Sequence, residues 1–396
     1  FLAELAQTNP MKIVYACNGL PVRARRQVDT LQTFLIFKLT MSDYKYHLGI
    51  DLHRRTSYWT LMDNQRNILW KKNIETSKKA IEDSLENIGI DAKEIHCAIE
   101  PVSGWGWSGD ILEANGVKVN LVDVYKSKLI AGTKLKNDKV DSKILAEMLR
   151  SDFLPTAYYA PKETRQWREF VRGRAVLVRL RTRISNRIHM MLQKQGIICP
   201  WTDLFGKAGL LWLKEQKLSE GSLTELSSLL LFFRELTLHI TERDRACLQK
   251  VTVSRELKIL TSIPGIGAIT ALTMMAEIGD YKRFSHPNKL ASFAGLVAAS
   301  YSSGGANRFG HITHRGSVWL RTALVESTGK VSKKWGYLYD FYTTLRERKG
   351  NKIARVALAR KILTLSWHLV INDEMFNPLG HRDSVKTEIS HISCPD

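Results

Sequence analysis

Four acids and a short run of serines are where this chain could do chemistry. Asp51 sits in YKYHLGIDL (44–52), where Leu48, Ile50 and Leu52 alternate with Gly49, Asp51 and His53. A period of two predicts a strand with one carboxylate set among apolar neighbours. A buried, unpaired carboxylate costs several kcal/mol, roughly 2–7. Asp51 therefore needs a cationic partner, unless its strand is an edge facing water. Glu100 follows the apolar run EIHCAI (94–99) and precedes Pro101. That is the C-terminal end of a strand, where open α/β sheets carry their sites. Asp138 and Asp141 stand three apart in NDKVDSKILAEML, on one face of a helix start. Asp138 also has a purely structural reading, as a cap that complements the helix dipole. All-oxygen donors suit Mg²⁺ or Mn²⁺ rather than zinc. Two such ions about 3.5–4 Å apart are the usual device for cutting phosphodiesters. Lys139 and Lys143 beside the acids would face phosphate. Asp63, Asp91 and Asp110 fall in turns or helix starts and read as solvated.

The serines lie far downstream. Ser300, Ser302 and Ser303 precede Gly304 and Gly305, and Arg308, His311, His314, Arg315 and Arg321 follow. Apolar density drops between Ala298 and Gly316, which predicts a loop suited to function. A serine hydroxyl is a weak nucleophile without a base, metal or cationic site to activate it. From the residues alone, a plain Ser/Gly loop competes with a catalytic one.

The elements that must position these groups follow from patterning. Strands are expected at 46–52, 56–62, 67–74, 94–99 and 117–122, with a turn at Asn64-Gln65. Helices are expected at 77–89, 107–115, 124–132 and 138–151. Three antiparallel strands followed by βαβ units give a mixed sheet covered by helices. Pro161 to Lys194 holds ten Lys/Arg against two acids, with apolar residues at helical spacing. This predicts a long amphipathic helix whose basic face, with Arg172, Arg179, Arg183 and Arg187, can track a phosphate backbone. Glycines break the pattern over 201–221, and a second long helix fits 222–250, giving an antiparallel pair or coiled coil. In the segment 260–284, Gly265 and Gly267 allow a tight turn that offers backbone N–H groups to phosphate at a helix N-terminus, which resembles the helix-hairpin-helix used for unspecific DNA contact. Glu277 and Asp280 are expected to cap or stay solvated. Arg346 to Lys361 suggests a second basic helix.

The 396-residue chain carries a net charge of +20, which points to a polyanion, most simply nucleic acid. No stretch reaches the ~18 apolar residues of a spanning helix, and there is no cleavable leader pattern. Five scattered cysteines read as reduced thiols in a cytoplasmic protein. Residues 1–40 lack a sustained period. They are expected to be a poorly ordered upstream extension, with a basic arm through Arg23, Arg25 and Arg26 as the alternative.

GIDLH, AIEP and NDKVDSKILAEMLR together resemble the DEDD domain of a family of insertion-sequence transposases, similar to the RuvC-like, Holliday-junction-resolvase version of the ribonuclease H fold. Ser142 stands where that family commonly has Ala. The GL…SSGG…G.IT.RG…LR pattern resembles the C-terminal serine transposase domain of the same family. The resemblance implies Asp51, Glu100, Asp138 and Asp141 as a Mg²⁺ quartet. It implies a serine nucleophile, placed at Ser303 with Ser302 as competitor, and a basic role for His314. It also implies a coiled-coil connector, a homo-oligomer (dimer or tetramer), and guidance by a bridge RNA. The expected layout is an extension (1–40), a RuvC-like domain (41–155), a basic helical connector (156–255), a mainly helical serine transposase domain (256–376) and a tail (377–396). Three rivals stand beside this reading: a metal-only junction-resolving nuclease using water, a transposase reading its DNA ends without RNA, and a non-catalytic nucleic-acid-binding protein.

Overall fold

A computed structural model describes residues 44–131, 138–250, 254–303, 306–313, 315–331 and 336–378. The expected extension over 1–40 and nearly all of the tail lie outside them. The chain divides into two compact units, Phe1–Lys162 and Glu163–Asp396.

The first unit opens with an antiparallel meander of β1 (Tyr46–Leu52), β2 (Thr56–Asp63) and β3 (Ile68–Glu75). The Asp63 carboxylate fixes the β2–β3 turn by accepting from the Gln65 and Asn67 amides. Helix α1 (Lys78–Ile88) starts on the Ser77 hydroxyl and stops at Gly89, whose φ is 67°. Strand β4 (Ile95–Ile99), α2 (Trp105–Ala114) and β5 (Lys118–Val122) form the crossover unit. Then come α3 (Val124–Ala131), α4 (Asp138–Arg150) and the two-residue β6 (Thr156–Ala157), which the apolar pattern was too short to signal. The sheet order is β3-β2-β1-β4-β5-β6. The β1–β4 and β4–β5 pairs are parallel and the others antiparallel.

The alternation of β1 sorts the two faces. Leu48, Ile50 and Leu52 join Trp59, Leu61, Cys97 and Ile99 in a core closed by Ile81 and Leu85 of α1 and Leu112 of α2. On the other face, Ala98 and Val122 pack against Leu145 and Leu149 of α4.

The second unit starts along α5 (Lys162–Lys194), continues through α6 (Lys207–Lys214) and returns along α7 (Glu220–Lys250). Ion pairs Arg174–Asp244 and Arg187–Glu225 make α5 and α7 antiparallel. Helix α6 lies in the stretch expected only to break the pattern. Its Leu213 is buried with Ile188, Leu192 and Leu204, burial that no local period advertised. The rest comprises α8 (Arg255–Ser262), α9 (Ala268–Ile278), α10 (Pro287–Phe293), β7 (Ala298–Ser303), β8 (Ala306–Ile312), α11 (Val318–Ser327), α12 (Tyr337–Lys349) and α13 (Asn351–Ile371). Leu260, Met274, Leu290, Leu324, Leu358 and Ile362 centre its core.

Two expectations are corrected here. The region after Ala298 is an antiparallel hairpin rather than a loop, because ladder hydrogen bonds do not depend on apolar side chains. The expected single basic helix over 346–361 is two helices, broken at Gly350, whose φ of 82° no helix interior accepts. Among the described residues no helix is long and apolar enough to cross a membrane.

Candidate acid site and serine hairpin

Asp51 and Glu100 reach the same end of the sheet because β1 and β4 run parallel in a register that pairs Ile50 with Ile99. Strand alternation sets both on the α4 face: Asp51 follows Gly49 by two, and Glu100 follows Ala98 by two. The Asp51 residue is 6% exposed, with His53 Nε2 3.3 Å from its Oδ2.

The direction of α4 decides whether its acids come near. Arg150, at the end of α4, donates to the Asn64 carbonyl, and Glu147 pairs with Arg66. Both partners lie in the β2–β3 turn, beside the start of β1. Helix α4 therefore runs antiparallel to β1, and its first turn, with Asp138 and Asp141, lies toward the Asp51–Glu100 end. Gly49 sets the closeness. A Cβ built there would lie 2.0 Å from the Ser142 carbonyl oxygen and 2.6 Å from the Ala146 nitrogen. Helix backbone rests directly on strand backbone. Ser142, fully buried, uses its hydroxyl to bond Thr60 Oγ1 at 2.8 Å, and Thr60 is the β2 residue opposite Gly49. Gly49 and Thr60 position the site, yet sequence reasoning gave them no role. The glycine inside an apolar strand was the available signal.

The donor set is all carboxylate and suits a hard divalent cation. Among the described residues no three His, Cys, Asp or Glu groups form a metal-holding cluster, and the Asp138 and Lys139 side chains are not among those described. Lys143 is exposed. Deeper on the same face, burial and neighbouring His47 hold His96 down to a pKa of about 4. His47, also depressed by burial, bonds Asn64 Oδ1 at 2.8 Å.

In the second unit, Ser303 pairs opposite Ala306 and Ser302 opposite Asn307 at the hairpin tip. The side chains of Ser302, Ser303 and Arg308, and residue His314, lie outside the description. Arg315 is exposed. Arg321 turns inward, its Nη1 donating to the Ala294 carbonyl at 2.9 Å, and burial lowers its pKa. Gly265 takes a φ of 87°, and a Cβ on it would meet the Ser327 carbonyl oxygen at 2.8 Å. Gly267 caps α9 without a side chain, and a Cβ there would meet nothing within 4 Å.

The basic helix divides its labour. Arg183 is exposed. Arg187 is exposed too but pairs with Glu225 at 2.6 Å. Arg179 lies 4.2 Å from the Trp319 ring centroid. Arg172 grips Glu277 with two bonds, 2.6 and 2.8 Å. Glu277, expected to cap or stay solvated, is instead 1% exposed, because Arg172, 105 residues away in the chain, neutralises it. Asp280 does cap, accepting from the Lys282 amide.

Residues 48–196 match the DEDD family model of IS110-type sequences, described as a transposase. Residues 257–343 match the model described as the transposase IS116/IS110/IS902 family. The chain is 29% identical over 259 residues to the transposase for insertion sequence element IS1111A of Coxiella burnetii, covering 61% of this chain and 68% of that one. It is 25% identical over 246 residues to the transposase for element IS1328 of Yersinia enterocolitica, covering 61% and 74%. A pilin gene-inverting protein of Moraxella bovis is 30% identical over 149 residues, covering 36% and 46%. The chain belongs to the DEDD-type transposases of insertion sequences.

Proposed function

We propose that this transposase cuts and rejoins DNA strands through a covalent phosphoserine intermediate assisted by a divalent cation. Asp51, Glu100, Asp138 and Asp141 would hold Mg²⁺, with Mn²⁺ as a substitute, in a RuvC-like domain over 41–155. The observation that carries this reading is the antiparallel placement of α4 on β1, which turns the start of α4 toward the strand ends bearing Asp51 and Glu100. When bound, the cation stabilises charge developing on the scissile phosphate.

Ser303 is the nucleophile, with Ser302 as its competitor. Its Oγ gives up a proton as it bonds to phosphorus, one P–O bond breaks, and the displaced sugar oxygen leaves as a hydroxyl. A hydroxyl from a second DNA end then attacks the same phosphorus, and the serine leaves with its proton restored. Each step exchanges one ester for another, so no nucleotide is consumed. Lys139, Lys143, Arg179, Arg183, Arg187, Arg308, His314 and Arg315 would bear on phosphate, and the Gly265–Gly267 turn would offer backbone N–H groups. The net charge of +20 accommodates DNA together with a structured guide RNA. The enzyme would act in the cytoplasm as a homo-oligomer, with 156–255 as connector and 256–376 as the serine transposase domain.

A trapping assay tests this. Protein and co-purified RNA are incubated with labelled donor and target DNA, with and without Mg²⁺, and run on a denaturing gel. A Mg²⁺-dependent DNA-shifted protein band that disappears in Ser303→Ala and in Asp51→Ala is expected. Loss in Ser302→Ala alone would move the nucleophile by one residue. Cut DNA with no covalent band, unchanged by either serine substitution, would leave a nuclease that uses water. Full activity after ribonuclease treatment would remove the guide RNA.

A further inference from the structure

The hairpin that carries the serines is held at its base by a polar clamp centred on one buried carboxylate. The chain on its two sides is joined at two points: Thr313 N donates to the Val297 carbonyl at 2.9 Å, and Ser317 N to the Phe293 carbonyl at 3.1 Å. The fit leaves no spare room. A Cβ on Gly316 would lie 1.8 Å from the Phe293 carbonyl oxygen, and one on Gly295 2.2 Å from that of Arg315.

One carboxylate ties this base to the rest of the unit. Glu277, in the last turn of α9, accepts from Ser317 Oγ at 2.8 Å and from both arms of Arg172. The same Ser317 oxygen caps α11 by accepting from the Leu320 amide at 3.1 Å. Arg168, one turn before Arg172 on α5, donates to the Ala276 and Glu277 carbonyls at the end of α9. Trp319 of α11 lies under the Arg179 guanidinium. Three elements therefore meet at Glu277: the long basic helix, α9, and the exit of the hairpin. We infer that Glu277 and Ser317 are positioning residues for the β7–β8 hairpin, fixing its exit end against α5. The inference rests on the reading that this hairpin presents the nucleophile, since only then does its position govern the reaction.

Hydrogen exchange on the full-length protein gives a test that does not depend on the serine chemistry. In Ser317→Ala, amides of 298–312 should exchange at least tenfold faster than in the wild type. Those of α13 should stay within twofold, and Ser317→Thr, which keeps the hydroxyl, should restore the hairpin. In the trapping assay, Ser317→Ala should slow covalent adduct formation at saturating DNA about tenfold, leave DNA affinity within twofold, and recover in Ser317→Thr. The paired change Arg172→Leu with Glu277→Leu should recover thermal stability relative to Glu277→Leu alone without recovering the adduct rate. Unchanged hairpin exchange in Ser317→Ala would overturn the inference, as would an apolar pair that recovers rate and stability together. Faster hairpin exchange with no covalent adduct even in the wild type would leave the clamp standing and remove the phosphoserine reading.

Discussion

The acid end of the first unit and the serine hairpin of the second are held in place by opposite means. At the acid end, α4 lies on β1 with backbone against backbone, and the space that admits it is the missing side chain of Gly49. The buried hydroxyl pair of Ser142 with Thr60 adds polar direction there, and Arg150 and Glu147 tie the far end of α4 to the β2–β3 turn. At the hairpin, the corresponding work falls to a buried carboxylate with three hydrogen bonds from Arg172 and Ser317. Steric seating makes the first arrangement intolerant of a single added carbon. The polar clamp of the second accepts a conservative exchange but fails when a partner is lost, because an unpaired buried charge is costly.

The most severe way to break this comparison is Gly49→Ala. Overpacking a tight site usually costs about 1–3 kcal/mol, and here the clash is with backbone that cannot rotate away. A loss of about 3 kcal/mol or more is expected, read as a large fall in melting temperature together with loss of strand cutting. A Gly49→Ala protein that melts with the wild type and still cuts DNA would sink the steric account.

A smaller contrast lies in pH, where the two units should respond with opposite signs. His96 is held to about 4 by burial and by His47, below the ~6.5 of an unfolded histidine. Its contribution to stability is full above pH 6.5 and is lost as pH falls toward 4. Glu256, at the start of α8, is raised to about 7 by burial and by Asp280, above the ~4.3 of an unfolded glutamate. Its contribution is full below that value and is lost as pH rises through 7. Each is worth about 2 kcal/mol after discounting for partial exposure. Hydrogen exchange followed peptide by peptide should show the first unit loosening in acid and the second loosening toward neutral pH. His96→Gln and Glu256→Gln should each flatten one limb.

The smallest effect separates two arginines of one helix. Arg183→Gln should lower the salt slope of nucleic-acid binding by about one. Arg172→Gln should leave the slope unchanged and lower the melting temperature, because its guanidinium serves Glu277. Equal slopes for both variants would mean the basic face is not divided.

Much of the first unit was legible because its signals are local. Alternation marked β1, patterning placed β2 to β5 and a helix over 77–89, and the acids were read at a strand end and a helix start. What escaped notice depends on partners distant in sequence. Nothing near Gly49 says which helix will press on it. Glu277 looks like a surface acid until Arg172 arrives from 105 positions upstream. The β7–β8 hairpin hid because its pairing is carried by backbone groups in a stretch poor in apolar residues. Helix α6 hid because glycines surround it, and its buried face forms only once α5 and α7 have paired.

The seating of α4 on Gly49 also sets an order of events during synthesis. Asp51 and Glu100 leave the ribosome well before Asp138 and Asp141, and contacts between segments so far apart in the chain form slowly. A nascent chain ending near residue 130 carries half of the quartet and no helix to complete it. On the proposed mechanism, competence to cut would come later still, because the serine hairpin at Ala298–Ile312 is made only after α4 has left the ribosome.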